Sequence, residues 1–344
     1  MRSRWMAAVA VVCMLAWAGE GWGLNAASAA GTRKTLVVAS DGSGQYRTVQ
    51  EAVDAAPEGG VLIEIKPGMY RQTVKISANG VELRGMGKRP QDVELVYDNT
   101  AGTAGGTGKS GTVTVTGDDF TAENLTIAND WEKTHVRSNE GSQAVALHVT
   151  GDREVFRKVR FLGYQDTLYA DSKTCHGMGE TGPCRASRQY YVDCYIEGHV
   201  DFIFGDAKAV FDHCEIHAMA HPEVTITAQS RVRPDEDSGY VFRDCTVTAE
   251  PGADDIYLGR PWRAYSTVVW INTYFPAKLD PKGWVEWGGR LATSDYAEYG
   301  SWGLSGNMAE RVHPARELKY SELGKYSTKA WLSGTDGWDP TKVR

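Results

Sequence analysis

Two aspartates stand in settings that suit them for more than solvation. Asp166 lies in Gly163-Tyr-Gln-Asp-Thr-Leu-Tyr169, and Asp201 lies in Gly198-His-Val-Asp-Phe-Ile-Phe-Gly205, each among aromatics and glycine. Aspartate is common in turns, and spacing alone leaves that bland alternative open; the surroundings argue against it. Two carboxylates within about 5 Å cannot both ionise easily, so one pKa rises. One group is then a base or nucleophile and its neighbour a proton donor. Such a division of labour needs a scaffold that sets these two residues side by side.

An internal repeat supplies it. Five segments share one template, with a small or apolar residue at the fourth place and an aliphatic or aromatic one at the sixth. They are Ala122-Glu-Asn-Leu-Thr-Ile127, Phe156-Arg-Lys-Val-Arg-Phe161, Tyr191-Val-Asp-Cys-Tyr-Ile196, Phe211-Asp-His-Cys-Glu-Ile216 and Phe242-Arg-Asp-Cys-Thr-Val247. Their fourth places, Leu125, Val159, Cys194, Cys214 and Cys245, are spaced by 34, 35, 20 and 31. Each segment alternates like a strand with one face buried. Strands recurring at a base period near twenty, with insertions in the longer intervals, predict an all-β solenoid, a parallel β-helix. No coil buries its apolar face alone, and stacked coils share a core. An antiparallel sandwich is the competing architecture.

Asp166 follows Val159 by seven residues, and Asp201 follows Cys194 by seven. The two therefore fall at one place in successive coils, about 4.8 Å apart. Cys194, Cys214 and Cys245 share another place and read as a buried ladder of small hydrophobes. Thr48 to Ala56 carries Val49, Ala52, Val53 and Ala56 at helical spacing before Pro57, which predicts a short N-terminal helix capping the first coil. The tail from about Ser301 is expected along the outside.

Residues 1–30 read as a signal peptide, leaving 31–344 as a single domain. Arg2 and Arg4 precede an apolar run from Trp5 to Ala18 that is too short to span a membrane, and Ala27-Ser28-Ala29 offers a cleavage site. The expected destination is outside the cell or in a periplasm, with no membrane association after processing. Cys13 leaves with the leader, and five cysteines remain, an odd number. Cys175 and Cys184 flank a short Gly-rich loop and are the best disulfide candidates. No CxxC pair supports a zinc site. The formal charge of −7 becomes −8 on losing Arg2, Arg4 and Glu20. That balance argues against nucleic acid as a partner, and any acidic polymer must be held by local contacts.

Other signals carry less. Gly102 to Ser110 looks like a phosphate-binding loop, but its required first glycine falls on Thr103 and no helical pattern follows, so a surface loop is expected. No G-x-S-x-G occurs to build a serine nucleophile elbow. His213, His217 and His221 fall four apart, but on a strand four residues span roughly 13 Å, too far to share a metal. His199 reads as a loop or cleft-wall residue.

The blocks GYQDTLY and VDFIFG, with Leu258-Gly-Arg-Pro-Trp262, Ser142-Gln-Ala-Val-Ala-Leu147 and Thr227-Ala-Gln-Ser-Arg231, resemble the signature blocks of pectin methylesterases. They occur in order from about Thr35 toward the C-terminal region, where Gly283-Trp-Val-Glu-Trp287 also fits. The resemblance implies a right-handed parallel β-helix and a secreted, monomeric esterase. Its substrate would be pectin, methylesterified polygalacturonate, cleaved to methanol and free carboxylates without cofactor or metal. It implies Asp201 as nucleophile, Asp166 as general acid and then base, and Arg260 as the partner keeping Asp201 ionised. Gln143 and Gln165 would stabilise the oxyanion, and Trp262 and Phe204 would line the sugar cleft. The insertion around Cys175–Cys184 and His148, where an arginine is common, depart from the pattern; no inhibitory pro-domain is expected. Rival readings are a polygalacturonate-cleaving hydrolase or lyase on the same solenoid, since paired carboxylates also suit a glycosidase, and a silent wall-binding homologue. The motifs NTD, GHG and RIK of polygalacturonases are missing.

Overall fold

The computed structural model describes residues 33–135, 141–173, 175 and 184–343. The expected leader therefore lies outside the described residues, as does most of the loop between Cys175 and Cys184. Those two cysteines are joined by a disulfide.

Each template segment turns a corner. The sequence pattern reads as one strand, but the chain leaves one sheet after the second place and enters another at the fifth. The third-place residues Asn124, Lys158, Asp193, His213 and Asp244 have φ between 50° and 55°. That left-handed conformation breaks the strand and suits Asn and Asp best among residues with a side chain. His213 is consequently a corner residue and not a strand residue. A sixth copy, Trp270-Ile-Asn-Thr-Tyr-Phe275, turns in the same way at Asn272, φ 52°.

Stacking these corners gives three sheets of eleven, nine and seven strands, parallel at every pairing among the described residues. The architecture is the predicted parallel β-helix. First-place side chains pair in register, Phe156 with Tyr191, Tyr191 with Phe211, Phe211 with Phe242 and Phe242 with Trp270. Their rings stack inside the solenoid with centroids 4.7, 4.6, 4.5 and 3.8 Å apart. Cys194, Cys214 and Cys245 are free thiols buried at the corners, as the ladder reading expects.

The N-terminal helix spans Val49–Asp54. Thr48 caps it, accepting from Glu51 N–H at 3.2 Å while Glu51 accepts from Thr48 N–H at 3.1 Å, a reciprocal capping box. Val49, Ala52 and Val53 bury into the core. At the other end, Leu318, Tyr326 and Leu332 of the tail cover Val210, Val241 and Val269 on the outer face of the eleven-stranded sheet. Buried Arg188 ties that tail down, bonding Asp152 at 2.7 Å and Asp336 at 2.6 Å. Among the described residues no helix is long and apolar enough to cross a membrane.

Candidate active site

The site grows from the seven-stranded sheet. Phe161 pairs with Ile196 before the two aspartates, and Leu168 pairs with Ile203 after them. Both offsets equal the 35 residues separating Asp166 from Asp201, so the pair holds equal phase in adjacent coils. Asp166 N–H donates to Val200 O at 3.1 Å across that step. Both aspartates adopt the left-handed conformation, φ 65° and 52°. Such backbone geometry is sparsely populated and persists where surrounding structure imposes it. At Asp201 a bulge imposes it: Val200 pairs with Thr225 and Ile203 with Thr227, so Asp201 and Phe202 face the single Ile226. Phe202 turns into the core and Asp201 turns to the cleft. Gly198 makes room, because a Cβ there would lie 2.3 Å from Phe202 Cβ and 2.6 Å from Tyr164 O.

Arg260, from the strand Ile256–Gly259 and its exit, holds Asp201 in a fork. Nε donates to Oδ1 at 2.8 Å and Nη2 to Oδ2 at 2.7 Å. Thr225, on the strand Val224–Gln229, donates Oγ1–H to Oδ1 at 2.8 Å and accepts from Asp201 N–H at 2.9 Å. Burial pulls the Arg260 pKa down, but its hydrogen bonds and ion pairing with Asp201 outweigh that and leave it above the ordinary value. The guanidinium also lies 4.3 Å from the Trp287 ring centroid.

A cleft of about 350 Å³ gathers all seven predicted site residues: Gln143, Gln165, Asp166, Asp201, Phe204, Arg260 and Trp262. Gln143 and Gln165 come from neighbouring coils, linked by Ala144 N–H donating to Gln165 O at 3.2 Å. Three more residues emerge that the motifs left unassigned. Tyr169 stacks on Phe204 at 4.2 Å and lies 6.3 Å from Trp262; Trp287 closes the same aromatic cluster; Thr225 supports the aspartate. Tyr169 was legible, being Phe204's partner at the 35-residue offset, whereas Thr225 and Trp287 arrive through loops of unequal length. The segment Gly102 to Ser110 is also more than a surface loop. It forms the short helix Ala101–Ala104 and a 3-10 turn, and lends Thr107 and Gly108 to the cleft.

Behind Tyr169 lies a second aspartate pair at the same offset, Asp171 and Asp206, both buried. Burial and the neighbouring Asp171 push Asp206 well above the ordinary carboxylate range. Burial also opposes ionisation of Asp171, but the adjacent His148 ring and Asp206 hold it low. His148 stacks on Tyr169 with centroids 4.4 Å apart and places Nε2 3.5 Å from Asp171 Oδ2. His199 is buried; its Nδ1 accepts from Val200 N–H at 2.8 Å and its Nε2 meets Glu132 Oε1 at 3.1 Å. Three carboxylate and histidine ligand atoms, from Asp212, His213 and Asp244, also converge, but at an outer corner away from the cleft.

The chain matches known proteins along most of its length. The family model Pectinesterase matches residues 35–335. The chain belongs to the pectinesterase family. Pectinesterase 31 of Arabidopsis thaliana is 39% identical over 313 residues, 86% of this chain and 91% of that protein. Pectinesterase 2 of Citrus sinensis is 37% identical over 88% of this chain, which spans only 60% of that longer protein. Among solved structures, a pectin methylesterase from carrot matches with a TM-score of 0.79 and 29% identity, covering 91% of this chain and 98% of that one. A pectin methylesterase in complex with a hexasaccharide matches with a TM-score of 0.74 and 27% identity, covering 91% and 100%. Membership makes the chain a carboxylic ester hydrolase, and the relatives' solved structures share its parallel β-helix.

Proposed function

We propose that this pectinesterase-family chain is an exported pectin methylesterase using Asp201 as its nucleophile and Asp166 as its proton carrier. The observation that carries the reading is the Arg260 fork on Asp201, set one coil from Asp166 in a cleft lined by two neutral amides.

A carboxylate is a weak nucleophile toward an ester and must be kept charged and aimed. Paired charge-assisted hydrogen bonds from arginine do both. Oδ1 accepts from Arg260 and Thr225, whereas Oδ2 accepts from Arg260 alone among these donors, which leaves Oδ2 freer to attack. Attack on the methyl ester carbonyl forms a C–O bond and a tetrahedral oxyanion. The amides of Gln143 and Gln165 suit that charge, since neutral donors stabilise it without neutralising Asp201. Collapse breaks the bond to methoxide, which takes the Asp166 proton and leaves as methanol. Asp166, now a carboxylate, accepts a proton from water as the water attacks the acyl-enzyme. The bond to Asp201 breaks, the galacturonate carboxyl is freed, and both aspartates return to their starting states.

The glycosidase alternative is less well served, because amides and Arg260 answer an acyl oxyanion and not an oxocarbenium ion. Methanol release from esterified pectin, with polymer length followed in parallel, tests the reading. Methanol without shortening is expected; shortening without methanol would overturn it.

A further inference from the structure

Behind the lining of the cleft, two buried carboxyls face a single histidine. Asp171 and Asp206 hold equal phase in adjacent coils. Neither forms an ion pair with lysine or arginine among the described residues, and Asp206 Oδ1 finds no hydrogen-bond partner among them. His148 faces the pair, its Nε2 3.5 Å from Asp171 Oδ2. Two interacting carboxyls buried beside one cationic group cannot both ionise, so one keeps its proton. Burial and the Asp171 charge keep Asp206 well above the ordinary range, with Glu236 adding to the effect. The other titratable groups facing the pair are the phenols of Tyr169 and Tyr240, and Arg231 stands by Glu236.

The same histidine reaches the cleft. His148, Tyr169 and Phe204 pair in register across three coils, and their rings stack with centroids 4.4 and 4.2 Å apart. His148 Nδ1 lies 2.8 Å from Gly108 O, so that nitrogen carries a hydrogen and donates it. A carbonyl and a carboxylate only accept, so the ring serves both with a hydrogen on each nitrogen. Gly108 packs on the same rings: a Cβ there would lie 3.3 Å from His148 Cε1 and 3.6 Å from Tyr169 Cε1. Thr107, Gly108 and Tyr169 line the cleft, and His148, Asp171 and Asp206 stand behind them.

We propose that His148, Asp171 and Asp206 are positioning residues that hold Tyr169 and the Gly108 turn at the cleft, and that the proton kept on Asp206 keeps this support together. This rests on the function proposed above and adds a pH-dependent grip on the polymer, separate from the chemistry at Asp201. Loss of the Asp206 proton sets two anions against each other in a buried site. They move apart, Asp171 leaves its contact with His148, and the turn and the tyrosine loosen together.

The test uses the full chain and three variants. His148→Phe keeps the ring stack and loses both N–H groups, His148→Asn returns an amide donor toward Gly108 O, and Asp206→Asn copies the neutral acid. Initial rates on esterified pectin give KM and kcat against pH. Hydrogen exchange is read at the Lys109 and Ser110 amides, which close the turn on Gly106 O and Thr107 O at 3.0 Å each. His148→Phe should raise KM about three- to tenfold, as for one lost hydrogen bond, with kcat within about twofold. Exchange at the two amides should quicken, and His148→Asn should recover part of both effects. Asp206→Asn should match the parent's KM near neutral pH; toward alkaline pH the parent's KM should climb and the variant's stay level. Parental KM or parental exchange in His148→Phe would defeat the support, and coinciding KM profiles for the parent and Asp206→Asn would defeat the role of the proton. A parent that releases no methanol defeats the function above, whereas the exchange measurement needs no turnover, so the two proposals fail separately.

Discussion

Thr225 grips Asp201 twice: its hydroxyl donates to Oδ1 at 2.8 Å and accepts from the Asp201 backbone N–H at 2.9 Å. Thr225 is fully buried one coil beyond the aspartate. The bulge leaves the Asp201 amide without its ladder partner, and the threonine supplies one. Thr225→Val keeps the shape and removes both bonds, leaving a buried N–H unpaired at a cost of about 1–3 kcal/mol. Melting temperature and kcat should both fall, with Thr225→Ser close to the parent in each. A valine variant as active and stable as the parent would show that the bulge orients Asp201 unaided.

Arg260→Lys keeps the charge and loses the fork. One charge-assisted bond and the geometric constraint go, so kcat should drop roughly 10- to 100-fold while KM changes little. Steady-state rates on esterified pectin check this. A lysine variant at parental kcat would mean that only positive charge is needed.

Gln143→Leu and Gln165→Leu each remove one neutral donor. If these amides serve the oxyanion, each should lower kcat about 10²- to 10³-fold with KM nearly constant. A loss confined to KM would reassign them to holding the ground-state substrate.

How far the site was legible depended on whether residues kept step with the repeat. Asp166 and Asp201 did, as did Tyr169 with Phe204, because one 35-residue offset runs through that whole turn of the solenoid. The corner did not show itself. Places four and six keep a period of two, and only the three-residue step from place one to place four betrays the bend, so the segment passes for an unbroken strand. The tell was chemical: asparagine and aspartate recur at that place, as left-handed backbone prefers. Thr225 stayed hidden because it pairs with Val200 and bonds to Asp201 across a bulge that breaks the simple count. Trp287 reaches the cleft from a segment between strands, where no period applies. The short helix at Ala101–Ala104 begins with the capping residue Thr100, but four residues with two small alanines show no helical pattern.

Glu154 offers a test of the core by pH. It is fully buried beside the interior aromatic stack, and burial pushes its carboxyl well above the ordinary range. Below the ordinary carboxylate pKa both folded and unfolded chains hold the proton, and nothing is lost. As pH rises past that value the unfolded chain ionises first, so stability falls until the folded pKa is reached. This one group contributes up to about 1.4 kcal/mol per pH unit over that window. Glu154→Gln should remove the slope, and its stability relative to the parent, from urea titrations, should climb as pH rises above the ordinary carboxylate range. A difference independent of pH would mean that Glu154 is ionised in the fold.

The measurement closest to the centre of this account is methanol release by Asp201→Asn, made alongside pectin binding and circular dichroism. The amide keeps the size of the side chain and gives up the charge that attacks the ester. Turnover should fall by roughly 10⁴-fold or more, as for loss of a nucleophile elsewhere, while binding and fold persist. Methanol release within tenfold of the parent would contradict Asp201 as the attacking group.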